Sequence, residues 1–223
     1  MKISVIIAVL FLSAVVHRGD AQTPYDSLYL TIPAYQQLTA QFESTKLHSA
    51  DIVMLGNSIT YGGLWNDLLG KAGVVNRGIG GDNTVGMLHR LHSVYNLHPK
   101  ICFIMAGIND IYADASVDVI FSNYRKIVDT LRSKQIIPVI QSTLFVNPKW
   151  KLASEKNREV AALNALLKDY AAKESIEFID LNAVLSQDNT LLARFTTDGV
   201  HLTAEAYIRW RTLLEPVLKS HGL

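Results

Sequence analysis

Cysteine is almost missing from this 223-residue chain: Cys102 stands alone, so no intramolecular disulfide can form and no thiol cluster can hold a metal. It sits in the apolar run Ile101-Cys102-Phe103-Ile104-Met105, where a thiol behaves as a small hydrophobe rather than as a nucleophile. An excess of one charge is missing too. The 21 basic and 20 acidic residues nearly cancel, which leaves no electrostatic footprint for nucleic acid or an anionic membrane as partner. Internal repeats, low-complexity stretches and linkers are also absent, and beyond the first residues no long hydrophobic run follows. What remains is 49% hydrophobic and 18% charged, the balance of a globular protein with one sizeable core.

The leading residues read as a processing signal. Lys2 supplies a positive start, Ile3 to Val16 is almost wholly apolar, and Gly19-Asp20-Ala21 places small residues before a cut at Gln22. A membrane anchor helix is the alternative, but the run is short for a span, and a lipid-anchored form would need a cysteine at the cut. The expectation is a leader over residues 1–21, export to a periplasm or the extracellular space, no integral membrane association after cleavage, and a single domain over residues 22–223.

Five short apolar runs alternate with longer amphipathic stretches: Ile52 to Leu55, Val74 to Ile79, Ile101 to Met105, Ile136 to Ile140 and Ile176 to Leu181. They are continuous rather than alternating, as parallel strands buried on both faces require. Between them, Val117, Ile120, Phe121, Tyr124, Ile127, Val128 and Leu131 recur at helical spacing, as do Val160, Leu163, Leu166, Leu167 and Tyr170. Thr203 to Lys219 opens on a threonine cap and turns Tyr207, Trp210 and Leu214 inward. A helix is also expected from Ala34 to Lys46 in the leading segment. The pattern predicts an α/β fold, a five-stranded parallel sheet with helices on both faces, whose ligands sit beyond the carboxyl ends of the strands.

The polar motifs fall at those ends. The first strand runs into Gly56-Asn57-Ser58-Ile59, where a hydroxyl can point into the crevice, although Ser58 could equally cap the next helix. The second ends in Gly78-Ile79-Gly80-Gly81-Asp82, whose glycines allow the backbone to approach a ligand or simply make a tight turn. It lacks the third glycine of a dinucleotide site. The third ends in Gly107-Ile108-Asn109-Asp110, where the Asn109 amide is a neutral donor suited to an oxyanion or to an Asx turn. Asp198 and His201 lie three residues apart before the last helix, close enough for the carboxylate to orient the imidazole. His89 and His92 fall opposite a stripe of Val85, Leu88 and Leu91 and read, with His98, as solvated surface rather than metal ligands.

In this order the four motifs resemble those of the SGNH hydrolases, also called GDSL-like lipases and acylhydrolases, over the chain from about Asp51 onward. The branch containing platelet-activating-factor acetylhydrolase-like and carbohydrate acetylesterase-like members is the nearest in wording. The first block usually reads Gly-Asp-Ser, and here it is Gly56-Asn57-Ser58. The resemblance implies a three-layer flavodoxin-like fold and a serine esterase needing neither metal nor cofactor. It assigns Ser58, His201 and Asp198 as the triad, Ser58, Gly81 and Asn109 as the oxyanion hole, and to Asp82 a role in orienting the first loop. The substrate expected is a small-molecule or carbohydrate ester, acetyl esters foremost, with Phe145 and Trp150 lining one wall. Thioesters, lysophospholipids and catalytically silent sugar binding stay open as alternatives.

Overall fold

Five parallel strands form the sheet: β1 (Ile52–Gly56), β2 (Val74–Gly78), β3 (Ile101–Met105), β4 (Ile137–Gln141) and β5 (Glu177–Ile179), in the order β2-β1-β3-β4-β5. A computed structural model describes residues 24–223; the expected leader over residues 1–21 lies outside the described residues. Every residue of β1 and β3 is buried, which is why both read as unbroken apolar runs. Gly56 stands in register with Gly78 on one side and Met105 on the other. The first three strands therefore end level, and the loops after them emerge together where the strand order reverses.

The helices follow the apolar periodicities closely. The helix α1 (Pro33–Glu43) starts with proline in its first turn and stops short of Lys46. The Ser44 hydroxyl donates back to the Ala40 carbonyl, and the Thr45 hydroxyl accepts from the Leu47 N–H; such local bonds compete with further helix. Next come α2 (Ser58–Tyr61), α3 (Thr84–His89), α4 (Ile108–Tyr112), α5 (Val117–Ser133), α6 (Ala153–Glu174) and α7 (Ala204–Ser220). Ser116 caps α5 and Thr203 caps α7. Tyr124, Ile127, Val128 and Leu131 of α5 pack with Val160, Leu163 and Leu167 of α6 in the principal core cluster.

Two expectations need correction. The apolar run from Ile176 to Leu181 yields a strand of only three residues, because Leu181 leaves the ladder and gives its N–H to the Ser142 hydroxyl. The stripe of Val85, Leu88 and Leu91 is only partly the buried face: Leu91 is buried and Val85 and Leu88 are half-buried against the core, while Met87 and Arg90, off the stripe, are fully buried. The helix breaks at Arg90, whose guanidinium turns inward to Asp82. His89 and His98 are exposed as expected, and His92 pairs with Glu43.

Candidate active site

Ser58 is the first residue of α2, directly beyond β1. Asn57 caps that turn, its side-chain oxygen accepting from the Ile59 N–H at 3.0 Å. An asparagine oxygen does this as well as a carboxylate, so the departure from Gly-Asp-Ser leaves the local geometry intact. The turn is held from behind by α7: the Tyr207 hydroxyl donates to the Ile59 carbonyl at 2.7 Å. Trp65 donates to the Thr60 carbonyl and packs edge-on against Tyr207 and Trp210.

Asp198 and His201 reach Ser58 from the loop before α7. The two carboxylate oxygens have separate partners. Oδ1 accepts the N–H groups of Val200 and His201 at 2.9 and 2.8 Å, closing the turn, while Oδ2 meets His201 Nδ1 at 2.6 Å. The other ring nitrogen, Nε2, lies 3.0 Å from Ser58 Oγ. Partial burial pushes the Asp198 carboxyl up, but the bonds from the His201 ring and the two N–H groups outweigh it and hold its pKa down at about 2. The carboxylate thus stays charged through the range in which an imidazole titrates. Both Asp198 and His201 remain open to solvent, with side chains 41% and 47% exposed, so a substrate can reach them without a lid moving.

The loop after β2 turns sharply, the Asp82 N–H donating to the Ile79 carbonyl, with Gly81 at φ +78° and exposed. Asn109, on the first turn of α4, gives one amide hydrogen to the Asp82 carbonyl at 2.8 Å. The other is left for a ligand. Gly107 caps α4 at φ +106°, a backbone conformation that L side chains rarely adopt, and a β-carbon there would come within 2.7 Å of Leu163 and 2.8 Å of Thr143. Gly107→Ala is therefore expected to cost about 3 kcal/mol or more in urea unfolding; a loss below about 1 kcal/mol would show that this turn relaxes freely.

A buried polar scaffold supports these loops, and sequence reasoning did not find most of it. Asp82, read from the motif as a loop-orienting residue, pairs with Arg90 at 2.7 Å, both side chains fully buried, and Arg90 also donates to the Gly56 carbonyl at 3.0 Å. Burial pushes the Asp82 carboxyl up to about 6 against the pull of Arg90. Asp110, next to Asn109, is wholly buried and accepts from the Tyr25 hydroxyl, the Thr84 N–H and the Thr84 hydroxyl at 2.7, 2.8 and 2.5 Å. The Asp-Asn-Thr wording after the glycines and the Asp that ends the third motif were the available signals, but their partners are distant in sequence.

The two wall residues separate. Trp150 lies against the loop of Asp198 and His201: a β-carbon on Gly199 would sit 2.9 Å from its backbone nitrogen, and its ring meets Tyr112 edge-on. Beside it opens a recess of about 730 Å³ lined by Arg158, Glu155, Asp188 and Asn189 among others, none of them in the Ser58 cluster. Phe145 is buried. Its N–H is taken by Asn182 and the next residue is clamped by Asn157, so it packs into the core at 7% exposure beside Phe178, Ala161 and Asn164. Among the described residues no group of three or more His, Cys, Asp or Glu is placed to hold a metal ion.

An α/β sheet carrying a serine, histidine and aspartate in hydrogen-bonded series at its carboxyl edge defines a hydrolase-like site. The chain belongs to the GDSL-like lipase/acylhydrolase family, whose profile matches residues 54–209. It is 30% identical to a solved protein of Bacteroides fragilis described as a candidate acylhydrolase, with a TM-score of 0.73 over 83% of this chain and 96% of that one. A solved carbohydrate acetylesterase family member from Sinorhizobium meliloti shares the fold at 21% identity, TM-score 0.65, covering 78% of this chain and 100% of the other. Among curated proteins, an N-acylneuraminate cytidylyltransferase of Streptococcus agalactiae is 30% identical over 130 residues, 57% of this chain. The match spans only 30% of that relative's length.

Proposed function

We propose that the protein is an exported serine esterase that removes short acyl groups, acetyl foremost, from carbohydrates. The observation that carries the reading is the series Ser58 Oγ, His201 Nε2, His201 Nδ1, Asp198 Oδ2, with steps of 3.0 and 2.6 Å at its two hydrogen bonds. In it His201 takes the Ser58 proton as Oγ attacks the ester carbonyl. The N–H groups of Ser58 and Gly81 and the free Asn109 amide hydrogen meet the oxyanion. Collapse returns the proton from His201 to the departing alkoxide and leaves acyl-Ser58. Water, deprotonated by His201, then attacks that ester, and its collapse releases the acid and restores the hydroxyl. Asp198 holds the tautomer and stabilises the imidazolium throughout.

Three features support a sugar as the alcohol half. The fold is shared with a carbohydrate acetylesterase family member. The curated relative is named for an acylated sugar acid; its cytidylyl transfer is not carried over, given how little of it is matched. Trp150, with its polar recess of Arg158, Glu155, Asp188 and Asn189, offers the aromatic-plus-polar surface that carbohydrates fit. Among the described residues no helix is long and apolar enough to cross a membrane, and export rests on the leader pattern of residues 1–21. The test is hydrolysis of p-nitrophenyl esters from acetate to laurate, together with acetate release from an acetylated oligosaccharide. Rates highest on acetate and falling with chain length are expected. A maximum at eight carbons or more would overturn the short-acyl reading, and no acetate release from the oligosaccharide would overturn the sugar.

A further inference from the structure

The segment ahead of the family match, residues 24–43, lies on the oxyanion loop rather than on the far side of the domain. It is anchored at several points. The Tyr25 hydroxyl donates to Asp110, the residue after Asn109, at 2.7 Å. Tyr35 donates to the Gly86 carbonyl at 2.7 Å, and Tyr29 stacks on His89 with ring centroids 4.8 Å apart. Tyr29, Tyr35 and Ile79 form a small buried cluster of their own, with Ile32, Leu38, Phe42 and Val85 packed around it. The segment is therefore fixed to the same loops that carry Gly81 and Asn109.

Ile32 is the residue this anchoring places at the site. A β-carbon on Gly81 would lie 3.6 Å from both Cδ1 and Cγ2 of Ile32, so the isoleucine side chain flanks the glycine whose N–H meets the oxyanion. Its backbone has little freedom: Pro33 confines it to extended geometry, its N–H donates to the Tyr29 carbonyl, and its own carbonyl accepts from Tyr35. It is half-buried, leaving part of the side chain for a ligand. A carbonyl oxygen bonded to the Gly81 N–H at about 2.9 Å brings the acyl group it carries within reach of this side chain.

We propose that Ile32 forms the acyl-side wall of the site and sets the length of acyl group accepted. The proposal rests on the serine-esterase reading and adds a specificity residue that lies outside the matched residues 54–209. An acetyl methyl fits beside a β-branched side chain held in place, and each further methylene has to compete with it for space. Truncating isoleucine to alanine opens room for roughly two methylenes, each worth about fourfold in binding.

The experiment keeps the leaving group constant and varies the acyl half: kcat/KM on p-nitrophenyl acetate, butyrate and hexanoate for wild type, Ile32→Ala and Ile32→Phe. The hexanoate-to-acetate ratio is expected to rise about tenfold in Ile32→Ala, and the butyrate-to-acetate ratio to fall below wild type in Ile32→Phe. Loss of folded protein scales every ester alike and leaves the ratios where they were, so opposite movement in the two variants reports the wall itself. Active enzymes whose ratios stay within twofold of wild type overturn the proposal and leave the esterase reading standing. A folded wild type inactive on every ester removes that reading, and this proposal with it.

Discussion

Ser58→Ala is expected to lower ester hydrolysis at least about 10⁴-fold, measured as kcat/KM on p-nitrophenyl acetate beside wild type. In the proposed mechanism the hydroxyl oxygen forms and later breaks the acyl bond, so its loss removes the route rather than weakening one contact. Residual rate should come from the oxyanion donors alone, since Gly81 and Asn109 are untouched. The fold should survive. Alanine is a better helix former than serine, and the cap of α2 is supplied by Asn57, not by Ser58. Thermal stability is expected within about 1 kcal/mol of wild type, which separates a chemical loss from an unfolded sample. A well-folded Ser58→Ala protein retaining a tenth of wild-type activity would mean that another residue is the nucleophile.

The second large effect is on stability, in Arg90→Met. Arg90 and Asp82 are paired with no exposed side-chain surface, and Arg90 spans from the second loop to the Gly56 carbonyl just before Ser58. Removing the guanidinium leaves a buried carboxylate whose remaining bond to Oδ1 is the Asn83 N–H. Breaking such a pair costs about 3–5 kcal/mol, enough to threaten a domain whose whole stability is about 5–15 kcal/mol. The double variant Arg90→Met/Asp82→Leu should lose less than Arg90→Met alone, because no uncompensated charge remains.

The pH dependence has a definite sign. In the wild type burial already pushes Asp82 from the ordinary 3.8 up to about 6. A carboxyl raised in the folded state contributes stability that is complete below its unfolded pKa and lost as pH rises through its folded one. Without Arg90 the folded pKa moves higher still, so the deficit of Arg90→Met should be smaller at pH 5 than at pH 8 in urea unfolding. An equal deficit at both values would mean that the folded pKa of Asp82 does not rise when Arg90 is lost, as for a carboxylate reached by water, and that the pair is not what holds these loops.

Much of the fold and of the candidate site is legible in the sequence. Continuous apolar runs gave five strands in place, and the four motifs marked the ends of β1, β2 and β3 and the start of α7. Asp198 and His201 could be paired because a contact three residues apart is set by a single turn. The same reasoning failed where contacts are long in sequence. Tyr25 meets Asp110 across 85 residues, and Tyr207 meets the Ser58 turn across 148, neither with any local pattern to announce it. Arg90 carries no local signal of its burial either, and its inward bond to Asp82 accompanies the end of α3. The burial of Phe145 is not local either. Its aromatic character suited a crevice wall, but the backbone clamps from Asn157 and Asn182 decide which way it points.

The sequence by itself determined the α/β class and the order of the candidate chemical groups along the chain, because strand burial and turn chemistry are local and leave a readable residue pattern. The tertiary structure alone decided which loops meet, what holds them together and what flanks Gly81 and Asn109. Those depend on strand order, register and the docking of the leading segment. They are set by packing and hydrogen bonds among residues tens of positions apart, for which neighbouring residues carry no periodic signal.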